Sequence, residues 1–172
     1  MPAPMILASP VFPALYLYPL NDSFFIPKQI VLASPGRRVL LGRKTSTSPP
    51  PDETQVYFDS SVVSRRHAEV WQEGNKARIF IRDTGSANGT FVNGSRLSLE
   101  GQDSCPYELK SNDIVELGTD ILGYHDTIAH HRIVCQVACA FTQVDVAMIA
   151  MADSRRHRRG YSIIKSICLP RH

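Results

Sequence analysis

The 172-residue sequence has no unbroken apolar run of about 18 or more residues, so nothing in it reads as a bilayer-spanning helix. No basic residue precedes Lys28, and five prolines interrupt the apolar start Met1–Leu20, which argues against a secretory signal. Cysteine is scarce. Of the four, Cys135 and Cys139 fall on one expected strand, roughly 13 Å apart at a rise of about 3.3 Å per residue, beyond disulfide reach. Their spacing is not that of a zinc knuckle either, so buried free thiols in a reducing compartment are expected. Also lacking are an internal repeat and any convincing helix before Val144. The net charge of +3 is confined to the tail: from Asp153 onward six Lys or Arg face one acid, leaving residues 1–152 with 13 bases against 15 acids. A mildly acidic body is a poor general ligand for a polyanion.

What is present is a series of short alternating segments with turn signals between them. Lys28–Ser34 and Arg38–Gly42 read as strands split by Ser34-Pro35-Gly36, followed by a polar, proline-rich loop Lys44–Gln55 that is expected to be mobile. Ala68–Gln72 and Lys76–Arg82 form an expected hairpin across Glu73-Gly74-Asn75, and Thr90–Val92 ends at an Asn93-Gly94 turn. Asp113–Gly118 and Arg132–Phe141 follow; in the last, Ile133, Cys135, Val137, Cys139 and Phe141 share one face. The pattern predicts an all-β sandwich. The single tryptophan, Trp71, is expected in its core. Val144–Met151 is compatible with a helix, whereas Asp153–His172 has no core-facing period and is expected to be disordered or partly helical.

Hydrogen-bond donors concentrate at the expected strand ends. Arg43 follows Gly42, Ser64-Arg65 precedes a strand by a few residues, and Ala87-Asn88-Gly89 lies in a turn. A guanidinium fork, a hydroxyl with its backbone N–H, and an amide suit capture of a phosphate anion. No carboxylate lies among the leading donors to act as a base, so binding rather than chemistry is indicated. Ser64 with His67 invites a catalytic reading, but no third orienting acid and no Gly-x-Ser-x-Gly elbow accompanies them. His67 is instead expected to be buried behind the loop, holding Ser64 and Arg65. Asp83 opens a turn and is expected to bond nearby backbone. His130 and His131 are adjacent, hence on opposite faces, and do not share a metal. The Arg155–Arg159 run offers an alternative function, contact with nucleic acid or an anionic membrane surface.

Gly42-Arg43, Ser64-Arg65-x-His67, Ser86-Ala87-Asn88-Gly89-Thr90 and Asn93-Gly94 resemble, in order and spacing, the defining segments of the forkhead-associated (FHA) domain. That domain is a phosphothreonine-binding β-sandwich. The resemblance implies an eleven-stranded sandwich over residues 15–141, an extension over 1–14 and a basic tail over 142–172. It implies that Arg43, Ser64, Arg65, Ala87 and Asn88 meet the phosphopeptide while Gly42, His67, Gly89, Asn93 and Gly94 shape the loops. No cofactor, metal or enzymatic activity is implied. Leu17–Asp22, Tyr57–Ser60, His67–Trp71 and Tyr107–Asp113 further resemble the sarcolemmal membrane-associated protein family and its fungal cytoplasm-to-vacuole-targeting members. This implies a cytoplasmic scaffold that brings phosphothreonine-containing kinases to a striatin-interacting phosphatase and kinase complex, reaching endomembranes through partners, with the nucleus as an alternative location. Two departures stand out. Ala87 replaces a residue that is often Ser or Thr, and this sequence lacks the coiled coils and C-terminal anchor with which the family usually continues.

Overall fold

The computed structural model describes residues 12–167 apart from 22 and 75, with side chains as far as residue 156. In chain order its strands are β1 (Ala14–Pro19), β2 (Lys28–Val31), β3 (Val39–Arg43), β4 (Gln55–Phe58), β5 (Ala68–Gln72), β6 (Ile79–Asp83) and β7 (Thr90–Val92). Then come β8 (Ser95–Arg96), β9 (Tyr107–Leu109), β10 (Ile114–Leu117), β11 (Ile121–Leu122), β12 (Ile128–His130) and β13 (Ile133–Ala140), and finally α1 (Gln143–Ile167). One sheet runs β2-β1-β13-β10-β7-β8 and the other β4-β3-β5-β6-β9, while β11 and β12 form a separate ribbon. The two sheets together hold the eleven strands expected of the sandwich. All pairings are antiparallel except β3 with β4.

The core lies between the sheets. Leu15, Leu17, Val115, Leu117, Cys135 and Val137 of the first sheet pack with Val39, Leu41, Val70, Ile79 and Ile81 of the second. Alternation along β13 places Ile133, Cys135, Val137 and Cys139 in this cluster, with Phe141 packed against it. Burial pushes the Cys135 thiol up to about 12 and, as the main cause, Cys139 to about 11, so both are inert thiols. Cys105 is free like these two but, contrary to the expectation of buried thiols, exposed. Cys168 lies outside the described residues.

Several expectations need correction. Trp71 is buried as expected, though on the outer face of its sheet and outside the inter-sheet cluster: it stacks on Phe80 with centroids 5.8 Å apart, and the Arg38 guanidinium lies 3.6 Å from its ring centroid. Arg38 and Arg82 both reach Glu69 on that face, at 2.9 and 2.7 Å, so a charged ladder roofs the indole. The strand expected from Lys76 starts only at Ile79, because Arg78 N–H turns back to the Lys76 carbonyl at 2.8 Å. The proline-rich loop ends in a strand, β4, and contains a turn in which Ser48 Oγ accepts from Thr45 N–H at 2.9 Å.

The largest difference is the tail. A capping box starts α1: Asp145 N–H reaches Thr142 Oγ1 at 3.2 Å, and the Asp145 carboxylate accepts from the N–H groups of Phe141 and Thr142 at 2.9 Å each. Those bonds, led by Phe141, hold the Asp145 carboxyl below its ordinary range. The helix runs through the segment expected to be disordered or partly helical as far as Ile167, and 168–172 lie outside the described residues. Arg156 docks it on the first sheet, 4.3 Å over the Tyr18 ring and 2.6 Å from Gln136 Oε1. No described helix is long and apolar enough to cross a membrane.

Candidate functional site

The ends of β3, β6 and β10 and the starts of β5, β7 and β13 lie at one end of the sandwich, as the antiparallel registers require. Glycine lets the loops there meet. A Cβ on Gly42 would sit 2.1 Å from the Arg65 carbonyl oxygen, so only glycine lets β3 pass beneath the Ser64–Arg65 backbone. That contact positions the next residue: Arg43 N–H donates to the Ser64 carbonyl at 3.0 Å, and the Arg43 guanidinium donates to the Ser61 carbonyl at 3.4 Å.

Arg43, Ser64, Arg65, Ala87 and Asn88 line one shallow cleft of about 290 Å³ with Ser61, Val62 and Val63. Ser64 Oγ accepts from the Ala87 N–H at 3.1 Å, and Asn88 Nδ2 donates to the Val62 carbonyl at 3.0 Å. Thus the residue lacking a hydroxyl, Ala87, still joins two loops through its backbone. Neither Arg43 nor Arg65 has a carboxylate within 4.0 Å among the described residues, which leaves both guanidinium groups free for an anion.

Beneath the cleft the structure places His67, fully buried. Its Nδ1 accepts from Ser64 N–H at 3.0 Å and its Nε2 pairs with the Gly89 carbonyl at 2.9 Å. A carbonyl only accepts, so Nε2 carries the proton and Nδ1 does not: the ring is neutral. Burial is the main reason its pKa falls below the ordinary value, partly offset by the Gly89 bond and the Asp83 charge. A neutral histidine whose two nitrogens are both bound to backbone is a brace between the loops and has no free nitrogen for a Ser64 proton.

A second brace lies outside the expected set of site residues. The Asp83 carboxylate is buried and accepts from Ser86 N–H at 2.7 Å, Ser86 Oγ at 2.5 Å and Thr90 Oγ1 at 2.7 Å. Ser86 Oγ in turn accepts from Gly89 N–H at 2.9 Å. Four bonds therefore fix the turn that presents Ala87 and Asn88. The signal was present in the sequence as small hydroxyl residues three and seven positions after an aspartate, but burial alone distinguishes such a hub from a surface turn. Gly89 itself has φ +88°, and a Cβ there would meet Arg96 Nε at 2.8 Å.

Asn93 and Gly94 are elsewhere. They occupy the far end of β7, where Asn93 Nδ2 donates to Asp113 Oδ1 and Asn93 Oδ1 accepts from Ile114 N–H, each at 2.9 Å. They shape the β7–β8 turn and do not line the cleft. His131 lies 4.0 Å from Asp120, and no cluster of three metal-ligating side chains occurs among the described residues.

Residues 39–118 match the model of the FHA domain. An uncharacterized protein of Schizosaccharomyces pombe is 43% identical over 121 residues, which cover 70% of this chain and 39% of that protein. The probable E3 ubiquitin-protein ligase dma1 of the same yeast is 42% identical over 88 residues, covering 51% and 32%. Human sarcolemmal membrane-associated protein is 32% identical over 117 residues, covering 68% and 14%. The chain thus spans about two fifths or less of these relatives. Among solved structures, the kinase-interacting FHA domain of an Arabidopsis kinase-associated protein phosphatase overlays with a TM-score of 0.52 at 23% identity, covering 75% of this chain and 97% of that one. The cleft therefore lies within an FHA domain, a phosphothreonine-dependent interaction module, matched over residues 39–118 of this chain.

Proposed function

We propose that this chain binds phosphothreonine-bearing segments of partner proteins in the cleft between Arg43 and Asn88. The observation that carries the reading is the pair of arginines without carboxylate partners, converging with Ser64 and Asn88 over a buried, fully bonded support. A bidentate guanidinium matches two phosphate oxygens, and rigid loops lower the ordering cost of binding. Arg43 holds the phosphate, Ser64 offers its hydroxyl, Arg65 adds charge, and Asn88 fixes the ligand backbone. We propose further that the domain acts within a signalling scaffold in the cytoplasm, bringing phosphorylated kinases to a striatin-type phosphatase and kinase assembly. The likeness to the sarcolemmal membrane-associated proteins supports that finer assignment.

Calorimetric titration with a phosphothreonine peptide library and its unphosphorylated counterpart tests the first statement. Equal affinity for both would refute it. Co-purification with striatin-family proteins from cells, dependent on Arg43, tests the second.

A further inference from the structure

Arg37, Arg38, Arg78, Arg82 and Arg132 each meet a carboxylate between 2.5 and 3.0 Å. Another set of cations differs. Lys28, Arg43, Lys44, Arg65 and Arg66 have no carboxylate within 4.0 Å among the described residues. Arg43 and Arg65 face the cleft already described. Lys28 and Lys44 both meet Phe58, Lys28 through its ammonium over the ring and Lys44 through its backbone N–H.

Phe58 ends β4 opposite Arg43 in the parallel ladder, and its carbonyl accepts from Lys44 N–H at 2.9 Å. Lys28 opens β2, the edge of the other sheet, and its Nζ lies 5.3 Å from the Phe58 ring centroid and 6.0 Å from that of Phe25. Lys44 thus follows Arg43 in the chain, and the β2 edge brings the Lys28 ammonium to the ring of Arg43's cross-strand partner. Lys28 is only partly exposed, and its ammonium has no hydrogen-bond acceptor among the described residues. Burial first, and the Lys44 charge second, hold its pKa below the ordinary lysine range. Two like charges that act on each other without a counter-ion repel, and an anion bound by both relieves the repulsion and the lost hydration.

We propose that Lys28 and Lys44 form a second anion subsite beside Arg43, which takes a carboxylate or a further phosphate on the same phosphothreonine-bearing chain. The subsite rests on the phosphothreonine reading of the cleft and sharpens it: the preferred ligand carries a second negative group near the phosphothreonine. An extended peptide advances about 3.3 Å per residue, so the second group belongs within a few residues of the first.

The test titrates three peptide sets into the whole chain: one phosphothreonine with neutral flanks, the same with glutamate scanned along the flanks, and the same with a second phosphothreonine scanned likewise. At one position the added anion should tighten binding roughly three- to tenfold, the scale of a partly screened pair with two lysines. Lys28→Met and Lys44→Met should abolish that gain while binding the neutral-flank peptide as the parent does, and Lys28→Arg should restore it. A gain from the phosphate set alone assigns the subsite to a second phosphate, and a gain from both sets assigns it to any anion. A gain that survives both methionine variants, or no gain from either set, overturns the subsite while leaving the phosphothreonine reading intact. Failure of all three sets to bind overturns both.

Discussion

Replacing His67 by alanine tests the support beneath the cleft. The ring is fully buried and uses both nitrogens, so its removal leaves the Ser64 N–H without an acceptor and the Gly89 carbonyl with one donor in place of two, the Gly118 N–H at 2.8 Å. An orphaned buried polar group costs about 1–3 kcal/mol, and the cleft above admits water to part of the gap. A total loss of about 2–4 kcal/mol is expected, read as a lower urea midpoint at unchanged slope. The pH dependence supplies an independent check. Because the folded pKa is depressed, the unfolded chain takes up a proton first as pH falls. The contribution of His67 is therefore complete above the unfolded value of about 6.5 and is lost as pH falls from there through the lower folded value. The parent should lose stability over that window relative to His67→Ala, so the gap between them narrows in acid. A loss below about 0.5 kcal/mol, or a gap independent of pH, would refute the brace.

Asp83→Ala removes the acceptor of three buried bonds and should cost about 2–4 kcal/mol in chemical denaturation, with weakened phosphopeptide binding as a consequence. Gly42→Ala drives a methyl into the Arg65 carbonyl and should cost about 1–3 kcal/mol by the same assay while displacing the Ser64–Arg65 loop. Deleting residues 143–172 should leave a folded sandwich, with a loss of no more than about 2 kcal/mol for the Arg156–Tyr18 contact and its apolar neighbours. Extending the deletion through β13 should abolish cooperative thermal unfolding, since that strand lies between β1 and β10.

Where one face of a strand meets the core and the other meets water, the sequence was readable. β13 alternates over eight residues, and its core-facing set was correctly identified from period alone. β5 was found at its observed bounds, yet all five of its residues are buried, Glu69 among them, because Arg38 and Arg82 cover its outer face. No periodicity announces a salt-bridged roof. β9 was missed because three residues give no period, and β4 because it follows a proline-rich loop. The helix was under-read: the signal lay in Thr142 and Asp145, a capping pair, rather than in the apolar residues after them. At the site, Arg43, Ser64, Arg65 and Asn88 are legible as donors at strand ends and Ala87 through the family resemblance, and the structure gathers all five in one cleft. The Asp83–Ser86–Thr90 hub was not, since an Asp and two hydroxyls read equally well as a solvated turn until burial is known.

Calorimetry of Arg43→Ala with matched phosphorylated and unphosphorylated threonine peptides bears most directly on the proposed function. Arg43 stands at a strand end with its guanidinium bonded only weakly, to the Ser61 carbonyl at 3.4 Å, so the fold should not depend on it. The circular dichroism spectrum should be unchanged, and phosphopeptide affinity should fall by on the order of 2–4 kcal/mol, the scale for truncating one partner of a desolvated charge pair. Arg43→Lys should recover little, because an ammonium cannot reproduce the bidentate fork. Binding of the alanine variant like the parent, or equal affinity of the parent for the unphosphorylated peptide, would contradict the account.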